Sequence, residues 1–391
     1  MVSYSFYESD NRVRRYAETL VKLGYSVDAV ALNRGGLPKD EMISGVRLFR
    51  VQRRTKDEKG KLDYFAKMVG FFLRTSVFLA REQWRQRYDV IHVHSLPDFE
   101  VFAALYPKLT GSKVILDIHD IVPEFYASKF NVSPKSLAFR MLCRVEQMSA
   151  AFSDHVIASN HIWEKRLEGR SVAESKVTTI LNYPDTRIFQ PKGRTRTDDK
   201  FVILYPGSLN YHQGLDVAIR AFSLIRDKAP TAEFQIYGSG GEFASLKRLI
   251  GELGLQDRIL LLGALPIDKM ARVIENADLG VVPKRKDGFG NEAFSTKILE
   301  FMALNVPMII PDTEVDTYYF DDSVAKFFSA GDESSLADAM LLMINNRELR
   351  ETLTRNATKF VADYSWDVNQ EKYLGLVAGL VNSPNGHAAR K

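Results

Sequence analysis

Two glutamates, Glu292 and Glu300, bracket the run Glu292-Ala-Phe-Ser-Thr-Lys-Ile-Leu-Glu300, with seven residues between them. Ile298, Leu299, Phe301 and Met302 recur at helical spacing, which places the second glutamate on an amphipathic helix. Ser295 and Thr296 stand where that helix begins, offering a cap and unsatisfied backbone N–H groups. A helix start of this kind attracts phosphate, and Lys297 adds a cation to it. One turn on, Glu300 can accept hydrogen bonds from ribose hydroxyls. Glu292, ahead of the helix, can accept them from a sugar.

Three further turns carry glycine after an apolar run. Tyr205-Pro-Gly-Ser-Leu-Asn-Tyr-His-Gln-Gly214 follows a strand and opens a helix, and Gly207 and Gly214 permit a tight turn and close backbone approach. Tyr237-Gly238-Ser-Gly-Gly241 is a second strand-to-helix turn, and a plain tight turn reads the same way. Gly263-Ala-Leu265-Pro266 follows another strand. In the first half, Asp117-Ile-His119-Asp120 closes a strand and Val122-Pro123-Glu124 follows it. His92 and His94 alternate along one strand and share a face. With His119 they suggest a metal site, but no carboxylate or Cys cluster joins them in sequence, and strand-end polar packing is the expectation.

These residues resemble the family-four retaining glycosyltransferases of the GT-B fold. The Glu-x7-Glu pattern is matched at both ends and at its central aromatic, Phe294. Met302-Ala-Leu-Asn305-Val-Pro307 matches the family's helix-then-strand continuation, with Asn305 where Gly is common. The resemblance implies donor contacts at Phe294, Ser295, Thr296, Glu300, Gly207, Ser208, Gln213, Gly214, Gly238 and Leu265. It places Glu292, Lys297 and His119 at the reacting sugar and its phosphate, and Arg12, Asp120 and Glu124 on the acceptor side. The family usually has Arg after the first glycine of the 205–214 loop and Lys before the last. Here those positions hold Ser208 and Gln213. The implied reaction moves a hexose from a UDP- or GDP-linked sugar to a hydroxyl of a glycan or lipid-linked acceptor, with retention, no metal and no further cofactor.

The elements that position these residues alternate in kind. Short β-branched runs interleave with helix-period segments, which argues for βαβ units and parallel sheets. Strands are expected at 26–32, 46–51, 90–93, 114–117 and 155–158, then at 201–205, 233–237, 259–262, 279–282 and 308–310. Helices are expected at 11–23, 215–226, 242–252, 267–276, 296–304 and 334–345. The fold class is α/β: two Rossmann-like, doubly wound parallel-sheet domains facing a central cleft. The boundaries read as an acceptor-side domain over 1–190, a linker over 191–200 and a nucleotide-sugar domain over 201–365. The resemblance implies that a helix over 366–381 crosses back to the first domain, and 382–391 read as a polar tail. The chain opens Met1-Val2-Ser3-Tyr4, short for a buried parallel strand, so either the first strand is short or the start is truncated.

Composition bounds the rest. At 391 residues with 45% hydrophobic and 26% charged residues, the chain is a globular protein of two domains. One cysteine excludes an intrachain disulfide and fits a reducing, cytoplasmic compartment. Residues 1–90 carry 18 Lys and Arg against 11 Asp and Glu. Arg12, Arg14, Arg15 and Lys22 fall on the first helix, and Arg50, Arg53, Arg54, Lys56 and Lys59 near the second strand. A basic, aromatic stretch over 64–84 suits the inner face of a membrane beside anionic lipid, or a core-facing helix with solvated cations. No nucleic-acid motif accompanies the charge. Two rival functions stay open: a non-catalytic GT-B subunit that binds a partner or glycolipid, and a nucleotide-sugar epimerase or hydrolase.

Overall fold

The structure, a computed structural model, describes residues 1–54, 61–130 and 132–382, the side chains of 61 and 62 excepted. Lys56, Lys59 and the tail from residue 383 lie outside the described residues. The chain forms two units, Met1–Asn182 with the segment from Asn369, and Tyr183–Val368.

Unit 1 is built on a sheet of order β3-β4-β2-β1-β5-β6-β7-β8. Its strands are β1 (Val2–Ser3), β2 (Asp28–Asn33), β3 (Asp40–Ile43), β4 (Val46–Arg53), β5 (Val90–His94), β6 (Lys113–Ile118), β7 (His155–Ala158) and β8 (Val177–Thr179). All pair in parallel except β3, which runs antiparallel to β4 at the edge. β1 is only two residues long, yet it lies at the sheet's centre, with Val2 opposite both Val30 and Val93. The connecting helices are α1 (Asn11–Lys22), α2 (Lys61–Gln86), α3 (Leu105–Leu109), α4 (Val122–Phe130), α5 (Leu137–Phe152) and α6 (His161–Glu168). Three of them begin at residues that bond their own first turn. Asp10 accepts from the Val13 N–H, Ser136 from Phe139 and Asn160 from Trp163. The core joins strand residues such as Val30, Val93 and Leu116 to Phe71 and Leu79 of α2.

Unit 2 has an all-parallel sheet of order β11-β10-β9-β12-β13-β14. Its strands are β9 (Phe201–Pro206), β10 (Ala232–Tyr237), β11 (Ile259–Leu262), β12 (Leu279–Val281), β13 (Met308–Pro311) and β14 (Lys326–Phe328). Its helices are α7 (Leu215–Ile225), α8 (Phe243–Glu252), α9 (Ile267–Glu275), α10 (Thr296–Ala303), α11 (Glu314–Tyr319), α12 (Glu333–Asn345) and α13 (Arg347–Asp363). The central strand β9 is an unbroken apolar run, as a strand covered on both faces must be. The last helix, α14 (Trp366–Val381), counts with unit 1 from Asn369, and there Tyr373 stacks on Tyr16 with centroids 4.2 Å apart.

Two expectations need correction. The units divide at Asn182 and Tyr183, not within 191–200. That segment is strapped onto unit 2 instead. The Glu275 carboxylate accepts the Lys192 and Gly193 N–H groups, and Arg194 and Arg196 both pair with Asp278. Polar composition signals a linker only when the polar groups lack partners, and here they find them just beyond α9.

Asn305 follows α10 with φ at 59°, in the left-handed region that ends helices. Its side-chain oxygen accepts a hydrogen bond of 2.7 Å from the Thr358 hydroxyl. Asparagine tolerates this conformation, whereas a β-branched residue pays a steric penalty of about 1–2 kcal/mol. Asn305→Val should therefore lower the denaturation midpoint by about that free energy, while Asn305→Gly leaves it near wild type. Equal midpoints for valine and glycine would contradict this account.

Candidate active site

The loops after β9, β10, β11 and β12 leave the same edge of the unit 2 sheet, because the strands are parallel. They carry Gly207–Gly214, Gly238, Leu265 and the segment 283–295. Gly207 has φ +152°, and a Cβ there would lie 2.8 Å from Lys297 Cε, so the absent side chain makes room for the lysine. Gly214 has φ +65°, and a Cβ would meet the Pro283 carbonyl oxygen at 2.1 Å, so only glycine lets the two loops close on each other.

Lys297 occupies the space so made. Its Nζ donates to Gln213 Oε1 at 3.2 Å and to Ser295 Oγ at 3.3 Å, and lies 5.2 Å over the Tyr205 ring. The buried Tyr205 hydroxyl lies 2.9 Å from Gln213 Oε1 and 2.8 Å from the Ser208 carbonyl oxygen, and its single proton serves one at a time. Gln213 thus receives donors on its oxygen. Burial pulls the Lys297 ammonium down to about 8, against the opposing pull of Glu300. Burial likewise pushes Glu300 up to about 7, with Lys297 opposing. No side chain caps α10. Ser295 is at the cap position but forms no capping bond, so the expected cap is corrected and the N–H groups at the helix start keep no side-chain acceptor.

The segment bearing Glu292 is anchored from below. Lys284 is 2% exposed and donates to the Ala293 carbonyl at 2.7 Å, while pairing with Asp316 at 2.9 Å. Phe294 packs its ring against Tyr319 at 5.0 Å and Phe320 at 6.0 Å, which holds the segment from above. Glu292 is itself buried, and Thr296 is half-buried at the helix start. Leu265 is exposed at 38% in the loop after β11. Arg285 grips Asp216 at 2.6 and 2.5 Å, lies 4.4 Å over the Tyr211 ring and donates its N–H to the His212 carbonyl. Burial drops the His212 imidazole to about 4, with Lys297 and Lys284 adding to the fall and Asp287 opposing it. Sequence reasoning missed Tyr205, His212, Lys284 and Arg285. The run of cations directly after β12 was the available signal for the last two.

In unit 1, the sequence expectation that no carboxylate joins the histidines is overturned. Register puts His94 of β5 opposite Asp117 of β6. Asp117 Oδ2 lies 3.1 Å from His94 Nδ1 and 3.2 Å from His119 Nε2, and both Asp117 oxygens receive Arg12 at 2.8 Å. His92, His94 and Asp117 could hold a metal by ligand type and spacing. However, the carboxylate is already neutralised by the guanidinium, which would repel a second cation. His92 instead meets the Tyr373 hydroxyl at 3.0 Å through Nδ1. Burial lowers both buried histidines, and for His94 the neighbouring His92 adds to it. Arg12 holds Asp117 well below the usual carboxylate range despite its burial. His119 alone of the three histidines reaches the surface, at 24% side-chain exposure.

Two acceptor-side expectations therefore change. Arg12 is buried and committed to Asp117. Glu124 is buried and gripped by Arg170 at 2.7 and 3.2 Å, a pair extended by Glu146. A fork of guanidinium donors matches a carboxylate, so each residue is held by a charge partner within its own unit. Asp120 stays half-buried ahead of α4, with its carboxyl raised by burial and His119 opposing. Arg15 and Arg50 are likewise buried, donating to Asn182 and to Glu8 and Glu41.

Comparison with known proteins bears on this geometry. Residues 186–360 match the model described as glycosyl transferases group 1, and 9–182 match the glycosyl transferase 4-like domain. The chain belongs to the group 1 glycosyltransferases of the GT-B fold. An uncharacterised glycosyltransferase of Methanocaldococcus jannaschii is 26% identical over 90% of this chain and 89% of its own. Sucrose-phosphate synthase from Thermosynechococcus elongatus superposes with a TM-score of 0.78 at 18% identity, covering 97% of this chain and 99% of that one. The Anabaena protein HepE, solved with UDP, gives 0.70 at 15% identity over 96% and 99%.

The lowered Lys297 carries a stability consequence. Its folded value of about 8 lies below the ordinary lysine value of 10.5, so the charged form is penalised in the native state. Between these values the unfolded chain binds the extra proton, and stability rises with pH. Lys297→Met should melt higher than wild type at pH 7, with the gap narrowing as pH rises above about 8. A lower melting temperature for the variant at pH 7 would contradict the assignment.

Proposed function

We propose that this glycosyltransferase moves a hexose-type sugar, with retention and without metal, from a nucleoside diphosphate donor to a hydroxyl of a glycan or lipid-linked acceptor. The observation that carries the reading is the Lys297 ammonium, held by Gln213 and Ser295 at the uncapped start of α10. Breaking the glycosidic bond builds negative charge on the leaving diphosphate. A cation and free helix-terminal N–H groups at that position stabilise it, which is the work a metal would otherwise do. Ser208 and Gln213 remove the family's usual loop cations, and Lys297, held by Gln213, takes their place. The UDP bound by HepE makes UDP the first donor base to try. Glu300 would bind the ribose, and Glu292 the sugar hydroxyls.

Unit 1 would take the acceptor, with Asp120 as its polar group at the end of β6, while His119 would meet the donor sugar or its phosphate. The setting is cytoplasmic, at the inner face of a membrane. Among the described residues no helix is long and apolar enough to cross one. The absence of a cation at Ser208 favours one second reading, a non-catalytic subunit that binds a partner or glycolipid. That reading requires folded protein with no donor turnover.

Steady-state kinetics with a UDP- or GDP-sugar separates the roles. Glu292→Ala and Lys297→Ala should lower turnover by roughly 10²-fold, the scale of losing one preorganised electrostatic group. Glu300→Ala should chiefly raise the donor KM. Wild-type turnover in both of the first two variants would sink the assignment.

A further inference from the structure

The membrane-side acceptor reading can be tied to a surface of unit 1 that the reaction does not use. The connections from β4 to β5, β5 to β6 and β6 to β7 all move the same way across the sheet, while β1 to β2 moves the other way. Right-handed crossovers therefore put α2, α3 and α5 in one layer and α1 on the opposite face. Side-chain contacts agree. Phe72 of α2 meets Phe99, Phe102 meets Phe152 of α5, and Gln83 donates to Thr110 beside α3.

The outward sides of this layer are apolar and cationic. On α2, Val77, Arg81 and Trp84 fall at positions i, i+4 and i+7, with Trp84 82% exposed. On α5, Leu137, Met141, Arg144 and Met148 form the same kind of stripe, and Leu109 of α3 is 77% exposed between them. Arg85 and Arg140 flank the stripes. Two of the three carboxylates of these helices are buried, Glu82 and, against Arg170, Glu146. The third, Asp63 in the first turn of α2, is partly exposed but paired with Lys67. Among the described residues, the other exposed charges on α2 and α5 are positive.

Apolar side chains this large are costly in water when gathered on one layer. Trp, Leu and Met interleaved with Arg suit the boundary between head groups and acyl chains of an anionic bilayer. A second copy fits worse, since symmetric pairing would press like-charged faces together. We propose that the α2–α3–α5 layer of unit 1 docks on an anionic lipid surface. This rests on the membrane-side reading above, but lipid binding needs neither donor nor acceptor to be measured.

The test is flotation of the full chain with phosphatidylcholine vesicles, with and without phosphatidylglycerol at about one lipid in three. Binding should require the anionic lipid and weaken with salt. Replacing Arg81, Arg140 and Arg144 together with Gln should cut partitioning about 100-fold. Trp84→Ser with Met141→Ser should also reduce it, and neither variant should change the melting temperature. Equal partitioning of all variants, or no binding to anionic vesicles, would overturn the proposal. So would a dimer in light scattering that these variants dissociate while vesicle binding is absent. Vesicle binding without any nucleotide binding would sink the reaction reading and leave this one standing.

Discussion

An ammonium group drawn out of water must be compensated, and unit 2 treats buried Lys284 and half-buried Lys297 in opposite ways. Lys284 is buried, and its charge is compensated by Asp316 while the Ala293 carbonyl accepts a further hydrogen bond. Removing one partner of a pair like this costs about 3–5 kcal/mol, because the other charge is left stranded. Lys284 therefore fixes the 283–295 segment and with it the position of Glu292. Lys297 receives only neutral oxygens, from Gln213 and Ser295, and its charge is held near its titration point. An anion arriving at the start of α10 would complete what the protein leaves incomplete. The first lysine builds the site and the second is available to a ligand.

Unit 1 repeats the logic with different residues. Asp117 is fully buried at the end of β6 and receives Arg12, His94 and His119. The guanidinium supplies the compensating charge, so the histidines can remain neutral and serve as hydrogen-bonding groups. His119 extends the network to the surface at the same strand end that carries Asp120. The cationic residues that looked like a binding face, Arg12, Arg15 and Arg50, are instead structural. Exposed cations on α2 and α5 include Arg81, Arg85, Arg140 and Arg144.

Local signals were legible in the sequence and distant pairings were not. Apolar runs and helical spacing placed the ten expected strands within about two residues, because alternation and periodicity are properties of neighbouring positions. The strand-end glycines and the Glu292–Glu300 spacing were equally readable. The edge strands β3, β8 and β14, at three or four residues of mixed burial, gave too weak a pattern. The partners Arg12 and Asp117 stand 105 positions apart, and Lys297 and Gln213 stand 84 apart. Nothing in their spacing announces the contact. What stands in for the loop cations at Ser208 and Gln213 is hidden in sequence for the same reason, since the hydrogen bond from Lys297 to Gln213 joins two distant loops.

The most direct measurement of the central claim is the melting temperature of the full chain with UDP, GDP, ADP or uridine, in EDTA throughout. A ligand that binds only the folded state stabilises it by about 2.7 kcal/mol at a hundredfold excess over its Kd. One nucleoside diphosphate should raise the melting temperature clearly, uridine should not, and Lys297→Met should abolish the shift. No shift with any diphosphate, or an equal shift in Lys297→Met, would contradict a metal-free diphosphate site built on Lys297.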